Sequence, residues 1–279
     1  MKRSAQLVAI LAVGAALVGT TGCNKLRARA QLNEGVQEYR NLHYEQAIEH
    51  FKNAVYLDND LKVAKMYLAT AYAVQYVPGA VTPDNVRNAE QAIAEYKKVL
   101  DSDAQNVTSL KGIAFLYMQQ KKFDDSREYY KKAIDADPND PEIYYSVGVV
   151  DWTATYQDAA LVKSGAGLRV EDELKGKDSQ KLCDQMRAKD GAVVDEGMKM
   201  LQNAIDKRQD YDDAMAYMNL LYRRKANDMT CEDAQTRAEY VKTANDWSDK
   251  AMAARKKKAE EAAKKSSGGI YLEPTPSKN

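Results

Sequence analysis

The sequence predicts an all-α fold in which pairs of helices stack into a solenoid, and three observations carry this reading. Residues 107–140, VTSLKGIAFLYMQQKKFDDSREYYKKAIDADPND, form a unit of 34 residues with two amphipathic halves. In the first half Leu110, Ile113, Ala114 and Tyr117 recur at helical spacing; in the second, Ser126, Tyr130 and Ala133 do the same. Asp137-Pro138-Asn139 then stops the second helix, because proline fixes its own φ and turns the preceding residue away from the helical region. Finally, the segments on both sides can be laid over this unit. A chain of 279 residues built this way buries its apolar faces between neighbours rather than around one centre.

The spacing of Ser126, Tyr130, Ala133 and Pro138 resembles the tetratricopeptide repeat (TPR), with its small residue, aromatic, alanine and following proline. The resemblance implies an all-α TPR superhelix of about five helix pairs. The expected divisions are a signal peptide at 1–22, a lipidated N-terminus and short linker at 23–27, a TPR domain at 28–254, and a charged helix end with a disordered tail at 255–279.

At the N-terminus Lys2 and Arg3 precede an apolar run from Ala5 to Val18, too short to span a membrane and typical of a secretory signal. It ends in Val18-Gly19-Thr20-Thr21-Gly22-Cys23, which resembles a bacterial lipobox with Thr20 in place of the usual leucine. An ordinary secretory signal followed by a chance cysteine is the alternative. With lipid on Cys23 the mature chain is anchored by several acyl chains, and Asn24 after it favours the outer membrane, facing the periplasm. Lys25, Arg27 and Arg29 suit anionic head groups or simply a solvated helix start.

The first repeat runs from Ala28 to Leu61, with Gly35, Ala47, Phe51 and Ala54 at the family's small and aromatic positions. The second, Lys62 to Asn106, carries Leu68, Ala69 and Tyr72, then Ala92, Tyr96 and Val99. Ala69 and Ala92 are 23 apart where Ala114 and Ser126 are 12, so this repeat holds an insert of 11 residues. Thr82-Pro83 in it reads as an N-cap followed by proline at the first helical position. The fourth repeat begins at Pro141; Gly148 and Gly197 are 49 apart, which makes room for a long insert with a flexible Ser164-Gly165-Ala166-Gly167 and a helix around Lys181 to Ala188. A fifth, degenerate repeat starts near Asp212 and resumes near Ala244, its insert spanning Ala226 to Thr236. All three inserts fall between the two helices of their own repeat, so they emerge on one edge of the stack.

Tyrosine dominates the aromatics, 18 against 3 Phe and 2 Trp, as suits rings that pack while their hydroxyls reach water. By the resemblance, the concave face is lined by Leu32, Val36 and Tyr39, by Met66, Tyr67 and Val74, by Phe115 and Met118, by Tyr145, Val149 and Trp152, and by Tyr217 and Leu220. Such a row suits an apolar helix or extended peptide, or else is covered by the chain's own helices or tail. The positions that grip a chaperone's C-terminal carboxylate in some family members hold Leu32, Val36, Thr108 and Gly112, so that clamp is absent.

Acidic and basic residues balance at 41 each, which gives no electrostatic reason to expect nucleic acid. His43 and His50 lack partners at metal-ligand spacing, and Gly165-Ala166-Gly167 lacks the third glycine of a dinucleotide loop. No metal, cofactor or catalytic residue is therefore expected. The acidic insert residues Asp158, Glu171, Asp172, Glu173 and Asp178 would be the candidates for an enzyme site, and read better as solvated charges. Once Cys23 is committed to lipid, Cys183 and Cys231 remain, one in each of two neighbouring inserts, and an exported protein is expected to join them. The function expected is a membrane-anchored scaffold for protein partners in the bacterial envelope. Within that class, a component of a pilus, polysaccharide or protein secretion or outer-membrane assembly apparatus is the alternative.

Overall fold

A computed structural model describes residues 22–174, 177–231 and 233–267. The expected signal segment up to Thr21 and the tail beyond Ser267 lie outside the described residues. Among the described residues ten helices follow one another: α1 (residues 22–40), α2 (Tyr44–Leu57), α3 (Lys62–Val74), α4 (Pro83–Leu100), α5 (Val107–Gln119), α6 (Phe123–Ala136), α7 (Pro141–Gly165), α8 (Lys177–Lys207), α9 (Asp212–Asp228) and α10 (Ala234–Ser267). Each odd-numbered helix pairs with the next, and the five pairs are the five repeats. No strand occurs among the described residues.

The chain divides into two compact units, Met1–Asp137 and Pro138–Asn279. The first holds α1 to α6. In its short repeats the helices join through three-residue turns, and the same position, Leu42 and Lys121, takes a left-handed φ of 65° and 61°. There the next residue's N–H returns to the helix, His43 to the Glu38 carbonyl and Lys122 to that of Tyr117, which satisfies carbonyls the helix end leaves open. The repeat signature explains the pairing: Phe51 is fully buried, and a Cβ on Gly35 would come within 2.6 Å of its ring. In the third repeat Ser126 is small enough for the helices to close, and its hydroxyl donates to the Ala114 carbonyl at 2.8 Å.

The insert of the second repeat is a loop over residues 75–82 plus the first turns of α4. Thr82 caps α4, accepting from the Asn85 N–H, with Pro83 in the first turn. The buried Asn85 side chain accepts from the Val77 N–H at 2.6 Å and donates to the carbonyls of Val77 and Ala80 at 2.9 and 2.8 Å. One amide thus fixes the whole loop.

The second unit holds α7 to α10. Gly148 faces Leu201, whose side chain lies 2.5 Å from where a Cβ would stand, and Ala204 and Ala251 are buried at the family's alanine position. Here the long insert differs from a linker with its own short helix. It is mostly helix lengthening: α7 continues through Ser164 and Gly165, and α8 runs unbroken from Lys177 through the Lys181–Ala188 stretch into Gly197. No proline separates Lys177 from Gly197, and the one turn-prone dipeptide between them, Asp190-Gly191, is carried inside the helix. Among the described residues no helix is long and apolar enough to cross a membrane.

Candidate functional site

The residues assigned to the concave face lie on the first helices of the repeats, and all of them stay outside the buried core. In the first unit Leu32, Val36, Tyr39, Met66, Tyr67 and Met118 are half-buried, while Val74 and Phe115 are 46% and 45% exposed. Tyr67 stacks on Phe51 at 5.4 Å, so its ring is anchored by the core while its edge stays accessible. Burial, followed by the nearby Tyr44 and Tyr67, pushes the Tyr39 hydroxyl above its ordinary pKa.

In the second unit Tyr145, Val149, Trp152, Tyr217 and Leu220 are likewise half-buried, and the rings form a continuous chain. Centroid distances run 5.0 Å from Tyr211 to Tyr145, 5.6 Å to Tyr217, 5.4 Å to Trp152 and 5.1 Å to Tyr156. Two edge-to-face contacts, at 79° and 83°, bring the positive rim of one ring to the negative face of the next. Tyr211 closes one end by donating to Glu142, which also accepts from Arg208 at 2.7 Å. Burial pushes the Glu142 carboxyl up, but these two bonds outweigh it and hold its pKa below the usual value. Burial raises the Tyr145 hydroxyl to about 12, so this ring is uncharged at neutral pH. Such a face offers planar apolar area with few polar obligations, which is what a docked peptide segment requires.

At the other end of the row the inserts of the fourth and fifth repeats interlock around a buried ionic cluster. Lys163, fully buried, pairs with Asp228 and donates to the carbonyls of Val170 and Asp172 at 2.8 and 2.6 Å. Asp228 also pairs with Arg224, which donates to the Thr155 carbonyl at 2.5 Å and faces Asp190 at 3.5 Å. The Leu174 N–H donates to the Asn227 carbonyl at 3.0 Å, and Arg237 donates to the carbonyls of Ala226, Leu174 and Cys231. Beside the cluster Cys183 and Cys231 are joined by a disulfide, with Cα atoms 5.4 Å apart. Cys23 is exposed and unpaired at the start of α1.

The Tetratricopeptide repeat family profile matches residues 87–147, which span α4, α5, α6 and the start of α7. That stretch is matched to the tetratricopeptide repeat, and the helix pairs on either side of it repeat the same arrangement. A comparison of the sequence with curated proteins finds no match. Among solved structures the chain is similar to a MamA protein from Desulfovibrio magneticus RS-1, with a TM-score of 0.55 at 14% identity over 83% of this chain and 96% of that one. It is also similar to a second MamA structure, with a TM-score of 0.54 at 13% identity over 89% and 98% of the two chains. At that identity the likeness is one of fold. The TPR fold is that of protein-interaction scaffolds, and it supports the binding of a protein partner.

The acidic insert residues do not converge on a TPR face. Asp158 pairs with Lys189 at 2.8 Å, Asp172 is held by Arg169, Glu171 lines a cavity, Glu173 is engaged elsewhere, and the Asp178 side chain lies outside the described residues. Among the described residues no group of three His, Cys, Asp or Glu could hold a metal. The sequence reading missed Lys163, Arg224, Asp190 and Asp228, whose charges look solvated in a linear chain. The i,i+4 pair Arg224 and Asp228, set among Leu221, Ala226 and Met229, was the available signal, since a charged pair on an apolar stripe is a buried pair.

Proposed function

We propose that the protein is a lipid-anchored TPR scaffold of the bacterial cell envelope, tethered through Cys23 and holding partner segments on the aromatic faces of its first helices. The accessible rings carry this reading: Tyr67, Tyr145, Trp152 and Tyr217 are each fixed by ring neighbours yet only half-buried. A core would have enclosed them and a solvated face would not have grouped them. Support for the anchor comes from the signal-like segment that ends at an exposed, unpaired Cys23. Asn24 favours retention in the outer membrane, facing the periplasm.

Two measurements test the reading. Cys23→Ser should move the protein from the membrane pellet to the soluble fraction; persistence in the pellet after a high-salt wash places the anchor elsewhere. A photo-reactive residue at Tyr67 or Tyr217 should capture a protein partner in living cells, whereas the same residue at exposed Tyr56 on α2 should not. Equal capture at all three positions would remove the groove from the function.

A further inference from the structure

The row of rings in the second unit does not end openly. Past Trp152 the insert of the fourth repeat folds across the face, and Val170 and Glu171 close a cavity of about 330 Å³ between α7 and α9. Trp152 and Tyr156, stacked at 26°, form one wall, and Leu220 stands opposite. Exposed Arg223 stands at its edge, held by Asn219 at 3.2 Å and Asn245 at 2.9 Å. Lys163 positions the lid, because its bonds to the carbonyls of Val170 and Asp172 fix the insert backbone. The cavity is thus preformed and has flat apolar walls, of a size for one or two large side chains; Arg224, Asn227 and Asp228 also line it, and the exposed Arg223 and Glu171 stand beside it.

Beyond α10 the sequence reads Gly268-Gly269-Ile270-Tyr271-Leu272-Glu273-Pro274, an apolar triplet followed at once by an acid in an otherwise polar stretch. Its own cavity is out of reach. Asn245 on α10 is level with Arg223, and α10 runs on past Lys258, which bonds Asp212 at 2.6 Å, to Ser267. From Asn245 to Ser267 the helix rises about 33 Å. Tyr271 lies four residues past Ser267, a span of at most about 14 Å even when fully extended. The triplet therefore cannot return to the level of Arg223 within one chain, but it is free to enter the cavity of a neighbour.

We propose that the segment Ile270–Glu273 of one copy docks in the Trp152–Tyr156–Leu220 cavity of a second copy, with Tyr271 or Leu272 between the walls and Glu273 against Arg223. The contact is heterologous, head to tail, so each copy presents one cavity and one tail and the assembly can grow beyond two. This rests on the reading of the aromatic face as a binding surface, and it names the occupant of that face's closed end.

The test uses the chain carrying Cys23→Ser, so that it is studied in solution, and follows its mass by sedimentation against concentration. Tyr271→Asp, in the tail sequence, and Trp152→Ala, in the cavity, should each weaken self-association at least tenfold, with helix content checked by circular dichroism. Leu220→Glu serves as a second cavity variant should Trp152→Ala lose helix. The deciding arm mixes Tyr271→Asp with Trp152→Ala in equal amounts: each retains the half the other lacks, so the mixture should form one-to-one dimers that neither forms alone. A parent chain that stays monomeric at millimolar concentration, or a mixture that stays monomeric while the parent associates, overturns the proposal. So does capture of a different protein from Trp152 that Tyr271→Asp leaves unchanged, since the occupant is then a foreign segment. Capture at Tyr67 is independent of all these variants, which separates loss of this contact from failure of the groove itself.

Discussion

Trp152 meets Tyr217 edge to face, with ring centroids 5.4 Å apart and planes at 83°, and so couples α7 to α9 on the accessible face of the second unit. The contact belongs both to packing and to the proposed binding surface. In a double-mutant cycle of Trp152→Leu and Tyr217→Leu, chemical denaturation should give a coupling of about 0.5–1.5 kcal/mol. Additive losses would mean that the two rings act as independent surface groups.

Lys163 has no exposed surface and compensates Asp228, which is almost as deeply buried. Lys163→Met keeps much of the volume but leaves the carboxylate to Arg224 alone and releases the carbonyls of Val170 and Asp172. Breaking one side of a buried pair costs about 3–5 kcal/mol, and the loss should appear as early unfolding of the second unit only. Hydrogen exchange resolves this, because amides of α3 to α6 should keep their protection.

The disulfide spans 48 residues. In the chain-entropy account, opening such a loop destabilises by about 4 kcal/mol. Cys183→Ser with Cys231→Ser should therefore lower the denaturation midpoint of the second unit, and a non-reduced digest of the protein isolated from cells should yield the two cysteine peptides linked. Free, alkylatable thiols at both positions would refute the bond.

Asp190 supplies a pH signature. Burial, reinforced by Asp158, pushes its carboxyl up to about 6, against the pull of Arg224 and Lys189. An acid whose pKa is higher in the folded than in the unfolded chain favours folding only while protonated. Its contribution is full below about pH 4 and is lost as pH rises through about 6. Burial also raises Asp228, which acts with the same sign. Asp190→Asn should flatten the fall in stability between about pH 4.5 and 7 by on the order of 2 kcal/mol relative to the parent, measured by urea denaturation at each pH. Identical pH slopes for the two proteins would place the Asp190 titration at its ordinary value.

Much of this fold can be read from the chain because the TPR signature is itself a packing rule. A small residue such as Ser126 or Gly35 is required where helices approach, and an aromatic such as Phe51 or Tyr130 fills the space beside it, so register follows from size. Thr82 and Pro83 announced the start of α4 for a similarly local reason, the capping of open N–H groups. The unbroken α8 was less legible, because Asp190-Gly191 reads as a turn in the sequence and yet lies inside the helix. The ionic cluster was hidden for a different reason. Lys163 and Asp228 are 65 residues apart, and only the folding of two inserts against each other takes both from water. The closed cavity depends on that same fold-back, so sequence showed Trp152 and Leu220 as a row but not the lid across them.

The covalent clip between the fourth and fifth repeats also changes what the second unit can do under load. A scaffold tethered at one end and gripped by a partner is pulled along its chain, and stacked helix pairs yield by peeling apart. Between Cys183 and Cys231 lie most of α8 and the whole of α9, and while the bond is intact this span, a sequence separation of 48, cannot add to the length of the pulled chain. That withholds roughly 170 Å of contour length. Force applied across the oxidised protein can therefore peel only the helices outside the clip, and leaves the chain from Cys183 to Cys231 as a closed loop. The inserts thus act as a mechanical stop as well as a lid.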